Sequence, residues 1–134
     1  MTRIIKFRVW IPGQKRFAYP GEFNISNDGT LFDVSFIGNY KVNISLVIIQ
    51  QFTHFFSREG EEIYEGDIIG FKKENRVLAP RYVEFKHGAF CAIPIGERPN
   101  FEDYFGMPGN CQGGGNPWSI VGNIYQNPEL FNYD

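Results

Sequence analysis

Cysteine and histidine are scarce, with two of each in 134 residues. Cys91 and Cys111 form no C-x-x-C unit, so neither a disulfide framework nor a zinc knuckle is indicated. His54 and His87 are widely separated, and His87 falls in a predicted hairpin turn, so a histidine-based metal site is not expected. No apolar run approaches the ~20 residues of a membrane-spanning helix. The opening Met1-Thr2-Arg3-Ile4-Ile5-Lys6 lacks the apolar stretch of a secretory signal. These absences lead us to expect a cytoplasmic protein with no membrane association, cofactor or metal.

Aromatic residues, by contrast, are abundant. The 14 Phe, 7 Tyr and 2 Trp favour strands, while 15 Gly and 8 Pro supply many turns. The formal net charge of −2 and pI near 5.7 conceal a blockwise distribution. Residues 1–20 carry Arg3, Lys6, Arg8, Lys15 and Arg16 with no acid, whereas residues 21–70 carry eight acids against Lys41 and Arg58. A second basic stretch from Lys72 to Lys86 precedes an acidic end containing Glu97, Glu102, Asp103, Glu129 and Asp134. Such blocks fit a phosphate-binding patch, attraction between segments across an interface, or an ordinary solvated surface.

Ile5, Phe7 and Val9 alternate with Lys6, Arg8 and Trp10, the period of a half-buried strand, and Pro12-Gly13 then turns the chain towards a return strand at 17–19. Asn27-Asp28-Gly29 predicts a second turn, between strands at 23–25 and 31–34. The alternation of Val42, Ile44, Leu46 and Ile48 predicts a strand over 40–50, with a buried helix as the alternative. Residues 51–57 fit a short helical turn. From Glu62 the pattern is sharper: Ile63-Tyr64 enters a Glu65-Gly66-Asp67 turn, and Ile68–Phe71 leaves as a strand. Strands at 82–85 and 89–93 flank a Lys86-His87-Gly88 hairpin link. A last strand over 118–125 ends at Asn127-Pro128-Glu129, which fits a helix start with Asn127 as cap and Pro128 at the first position.

Short strands joined by turns argue for a mainly β protein. The expected layout is an N-terminal β segment, residues 1–58, and a small SH3-like barrel, residues 59–134, interrupted by a flexible loop over 94–117.

Four segments also resemble the YopX family of phage and prophage proteins: Ile5–Trp10, Ile63–Ile69, Val83-Glu84-Phe85 with Gly88-Ala89-Phe90, and Gly122-Asn123-Ile124-Tyr125 with Asn127-Pro128-Glu129-Leu130. The resemblance marks Tyr64, Glu65, Gly66, Asp67, Gly122, Asn123, Tyr125, Asn127 and Pro128 as structural motif positions. It implies a phage or prophage origin in a bacterial host, and a C-terminal SH3-like barrel with an N-terminal β segment packed on it. It brings no established activity. Family members usually carry Gln-aromatic-Thr-Gly before the central motif, where this chain has Gln51-Phe52-Thr53-His54, and the Gly- and Asn-rich insertion 94–117 is a further departure.

Candidate chemistry is thin. On a strand, Glu65 and Asp67 would share a face as paired carboxylates, although a turn in which Asp67 organises backbone amides explains them equally directly. Cys91 falls in a predicted strand, as a small packed hydrophobe would, and Cys111 falls in a Gly-rich loop, 106–116, that lacks the Lys-Ser/Thr ending of a phosphate-binding loop. No catalytic or metal-ligating residue is therefore assigned, and an enzyme is the least supported class. An oligomeric assembly module, or one that binds a phage or host protein, is the leading expectation. The alternative is a small barrel that binds nucleic acid through Lys6, Arg8, Lys15, Arg16, Lys72, Lys73, Arg76 and Arg81 together with exposed aromatics such as Trp10 or Tyr82.

Overall fold

Alternating apolar and polar residues become strands at most of the expected places, in a computed structural model that describes residues 4–35, 38, 40–95, 103–104 and 118–131. Chain order is β1 (Phe7–Ile11), β2 (Arg16–Phe17), β3 (Phe23–Ile25), β4 (Leu31–Asp33), β5 (Tyr40–Lys41), a 3₁₀ helix (Ile44–Leu46) and β6 (Ile48–Phe56). It continues through β7 (Glu62–Tyr64), β8 (Asp67–Lys73), β9 (Arg76–Lys86), β10 (Ala89–Pro94), β11 (Asp103–Tyr104), β12 (Ser119–Asn123) and the single-turn helix α1 (Pro128–Phe131). The mainly β expectation holds. Two compact units divide the chain: Lys6–Gln50, and Gln51–Asp134 together with Met1–Ile5. The division falls inside β6, upstream of the one drawn from the sequence at residue 58.

In the Lys6–Gln50 unit, β1 and β2 form a hairpin with Trp10 opposite Phe17. Their rings meet edge-on at 4.9 Å. β3, β4 and β5 form a three-stranded antiparallel sheet. The β3–β4 turn depends on Asp28, whose carboxylate accepts from the Thr30 N–H at 3.0 Å and from the Ser26 hydroxyl, while Gly29 takes a φ of 89° that glycine adopts without strain. Leu31 is fully buried.

The continuous strand expected over 40–50 does not form. Asn43 Oδ1 accepts from Ser45 N at 3.0 Å and from Ser45 Oγ at 2.8 Å, and this local side-chain bonding ends the extended run in a 3₁₀ turn. Ile44 and Leu46 consequently point outward, at 62% and 67% exposure.

The helical turn expected over 51–57 is also absent, because β6 continues through it as a bulged strand. Phe52 pairs with Tyr64 and Phe56 with Glu62, so β6 carries extra residues between the two pairs. Thr53 occupies the bulge, its Oγ1 donating to Ile63 O at 2.7 Å and accepting from Phe55 N at 3.1 Å. His54 is held there at φ 72°, with its Nε2 bonded to Ile4 O.

The remaining strands form an antiparallel sheet in the order β11-β10-β9-β8-β12, a meander whose last strand returns to its first. Ile63, Ile69, Val83, Ala92 and Trp118 make its buried core, with Phe71 stacked on Trp118 at 4.4 Å. Positive φ at both His87 and Gly88 makes the predicted β9–β10 link a tight two-residue hairpin. β9 bulges opposite Gly70, since Ile69 pairs with Arg81 and Phe71 with Leu78, and Ala79 takes φ 51°. A Cβ at position 70 would lie 2.6 Å from Val77 Cγ1, which is why only glycine fits there.

Candidate functional site

Two motifs far apart in sequence meet where β8 and β12 pair, with Asp67 opposite Asn123. Between β7 and β8 the Glu65-Gly66 turn needs a left-handed residue, and Gly66 provides it at φ 83°. The turn is pinned on both sides: Gly66 N donates to Val83 O at 2.7 Å, and Gly66 O accepts from Ile124 N at 2.8 Å. Asp67, 2% exposed, accepts from Tyr64 N at 2.8 Å through Oδ2 and from Asn123 Nδ2 at 3.2 Å through Oδ1.

Asn123 extends the network through both its side chain and its backbone. Its Oδ1 accepts from Tyr125 N at 3.0 Å, and its own N–H donates to Asn127 Oδ1 at 3.1 Å. Asn127 thus uses its side-chain oxygen to bind β12. Gly122 is needed for the same closeness, since a Cβ there would fall 2.8 Å from Leu130 Cδ1 and 2.9 Å from Asn127 Oδ1.

Glu65 and Asp67 do not form a carboxylate pair. Asp67 turns towards Asn123, whereas Glu65 reaches the amide of Gln51 at 2.9 Å, and Glu65 N returns a bond to Gln51 O at 3.0 Å. Burial pushes the Glu65 carboxyl above its ordinary value, the Gln51 N–H opposes that, and Glu84 raises it further. The Tyr125 phenol is raised by burial and then by the charges of Glu65 and Glu84, so these three groups share one environment. Among the described residues no group of three or more His, Cys, Asp or Glu side chains could hold a metal ion. The network positions strands and a turn, and burial raises the proton affinity of its Glu65 carboxyl.

The basic residues fall into two sets, one in each unit. Lys6 is exposed at the edge of the first unit, but Arg8 donates from Nε to Gln50 Oε1 at 2.7 Å and lies 4.5 Å over the Phe17 ring. Trp10 is only 6% exposed and cannot offer a stacking platform, because Phe17 and the β1–β2 hairpin cover it. Tyr82 is half-buried. Arg16 is committed to Glu22 through two contacts, at 3.0 and 2.9 Å. In the second unit, Lys72, Lys73 and Arg76 are exposed together at the tip of the β8–β9 hairpin, while Arg81 is partly buried with its guanidinium 5.4 Å over Trp118.

Cys91 is buried in β10, where its thiol lies 3.8 Å from the carbonyls of Lys86 and Ala89. Cys111 and the loop 106–116 lie outside the described residues, as does most of the 94–117 segment; its described part includes the short β11, paired with β10. Glu84, Gln51 and the Ser119–Glu59 contact were not among the expected site residues. A β-strand register known in advance would have found the first two, whereas nothing local announces the third.

The arrangement matches a known family along almost the whole chain. The YopX protein family pattern covers residues 6–132. The chain belongs to the YopX family. Two solved structures share the fold: protein EF1440 from Enterococcus faecalis, with a TM-score of 0.61 and 21% identity over 97% of this chain and 99% of that one, and protein yopX from Bacillus subtilis. For the latter the TM-score is 0.58 and the identity 17%, over 96% of each chain. No match was found among curated proteins. Within this YopX-family chain no helix among the described residues is long and apolar enough to cross a membrane.

Proposed function

We propose that this YopX-family chain is a non-enzymatic assembly or protein-binding module of phage or prophage origin, SH3-like in residues 59–134 and acting in the cytoplasm of a bacterial host. The carrying observation is the outward placement of Ile44 and Leu46 on the 3₁₀ turn, since two large aliphatic side chains at 62% and 67% exposure on one short turn mark a contact surface. Beside them lies a groove of about 560 Å³ whose lining includes Thr30, Leu31, Val42 and Ile44. The meander order of the second unit, with its last strand returning to its first, supports the small-barrel part of this reading.

Light scattering over a micromolar concentration series tests it. The expected outcome is a species heavier than the monomer that Ile44→Asp with Leu46→Asp shifts towards monomer; a monodisperse monomer throughout would overturn the assembly reading. A second reading, nucleic-acid binding, draws on the exposed Lys72, Lys73 and Arg76. Salt titrations against single- and double-stranded oligonucleotides decide it, because no affinity at low salt would eliminate phosphate binding.

A further inference from the structure

The β8–β9 hairpin ends in a ribbon with three cations and one acid: Lys72, Lys73, Glu74, Asn75 and Arg76 are all exposed. Cross-strand pairing sets Lys73 opposite Arg76 and Lys72 opposite Val77, so the cations project from both faces of the ribbon. Val77 and Leu78, at 39% and 38% exposure, follow on opposite faces, Val77 beside Lys72 and Leu78 on the face of Lys73 and Arg76. The β6–β7 connection carries the opposite charge: Arg58, Glu59, Gly60 and Glu61 are exposed, and Glu62 follows.

These two segments are neighbours, tied through Trp118 and Ser119. Arg58 N donates to Trp118 O at 2.7 Å and Ser119 Oγ donates to Glu59 Oε2 at 2.9 Å, which fixes the acidic connection against the start of β12. Phe71, next to Lys72, stacks on the same Trp118. The Ser119 hydroxyl chiefly, and Lys72 among smaller causes, lower the proton affinity of Glu59, which places the cationic and acidic segments within electrostatic reach.

A surface with adjacent positive and negative lobes is complementary to itself under a two-fold rotation, which sets each lobe against its opposite. Glu59, Glu61 and Glu62 against Arg58 give this lobe two net negative charges, and Lys72, Lys73 and Arg76 against Glu74 give the other two net positive ones. We propose that the β8–β9 ribbon and the β6–β7 connection together form a dimerisation surface whose occupant is a second copy of this chain, held by the opposed charges with Leu78, on the Lys73–Arg76 face, among them. The proposal rests on the assembly reading and adds to the Ile44–Leu46 face a second contact, in the other unit. A polyanion is the less favoured occupant, because the chain is acidic overall and acids lie directly beside the ribbon.

The test uses the full chain and two charge-reversed variants, Lys72→Glu/Lys73→Glu/Arg76→Glu and Glu59→Lys/Glu61→Lys, with circular dichroism to confirm that each is folded. Sedimentation at about 50 mM salt is expected to show a dimer for the natural chain, weakened at about 500 mM salt as charges are screened. Each variant alone is expected to dimerise at least about tenfold more weakly, and an equimolar mixture of the two to recover association as a heterodimer. The ribbon variant alone, which leaves the Glu59–Ser119 bond intact, keeps the test decisive if the acidic variant does not fold. A dimer unaffected by charge reversal would overturn this surface while leaving assembly intact. A monomer under all conditions would overturn both, and ribbon-dependent oligonucleotide binding by a monomer would transfer the ribbon to nucleic acid.

Discussion

The two compact units use similar residue types but are stabilised by different means. Residues 51–134 contain strands of up to eleven residues over a contiguous core of Ile63, Ile69, Val83, Ala92 and Trp118. Residues 6–50 have strands of two to five residues, with Val9, Trp10 and Leu31 as their buried hydrophobics. In this smaller unit much of the turn geometry is set by side chains bonding to nearby backbone: Asp28 to Thr30, Asp33 to Ser35 and Asn43 to Ser45. A segment this short buries too little surface for independent stability in general, so local polar bonds and shape-defining turns carry more of the specification. The larger unit can instead rely on apolar burial.

The largest expected difference comes from matched core truncations. Ile69→Ala should cost about 3–5 kcal/mol in chemical denaturation, because a fully buried side chain in a well-surrounded core leaves a cavity that cannot collapse. Leu31→Ala, equally buried but in the small sheet, should cost nearer 2 kcal/mol. Equal losses would remove the distinction between a packed unit and a locally bonded one.

A smaller effect tests whether polar bonds matter in the larger unit too. Asp67→Ala removes the buried carboxylate that accepts from the Tyr64 amide and the Asn123 carboxamide and should cost about 1.5–3 kcal/mol. Combined with Asn123→Ala, the loss should fall short of the sum of the single losses by about 1 kcal/mol. Strict additivity would show that Asp67 and Asn123 touch without cooperating.

The smallest effect is a difference in acid response. In residues 6–50 the Arg16 guanidinium holds Glu22 below its ordinary 4.5, the Ser26 hydroxyl brings Asp28 to about 2, and the Ser35 hydroxyl lowers Asp33. Depressed folded values mean stabilisation that is complete above the ordinary carboxylate values and lost as pH falls through the folded ones. Glu65 runs the other way: its raised folded value favours the folded state below 4.5, and that contribution is lost as pH rises through the raised value. Glu59, lowered by Ser119, offsets part of this in the same unit. Hydrogen exchange between about pH 4.5 and about pH 2 should therefore show amides of residues 22–35 losing protection before those of β8–β10. Simultaneous loss in both units would refute the contrast.

Much of the fold was legible because its signals are local. The β1–β2 hairpin, the Asp28-Gly29 turn, the Gly66 turn and the His87-Gly88 hairpin each coincide with residues whose backbone preferences require them. Residues 40–57 misled for an equally physical reason. Alternating β-branched residues indicate strand, but the Asn43–Ser45 bonding interrupts it, and a Thr53 bulge makes a strand out of a segment with no clear period. The packing of Phe17 against both Arg8 and Trp10 was not legible, since a charge and an indole near the chain start give no sign of it.

The sequence by itself determined the β-rich class, the placement of most turns and membership of the YopX family, because side-chain alternation, turn chemistry and motif order are properties of neighbours along the chain. Only the tertiary structure decided that Asp67 binds Asn123, 56 positions away, that Glu65 parts from Asp67 to hold Gln51, and that an acidic connection lies beside a basic ribbon. Each of those depends on strand register and on which buried polar groups must find partners, and both are settled when separated segments pack rather than along the chain.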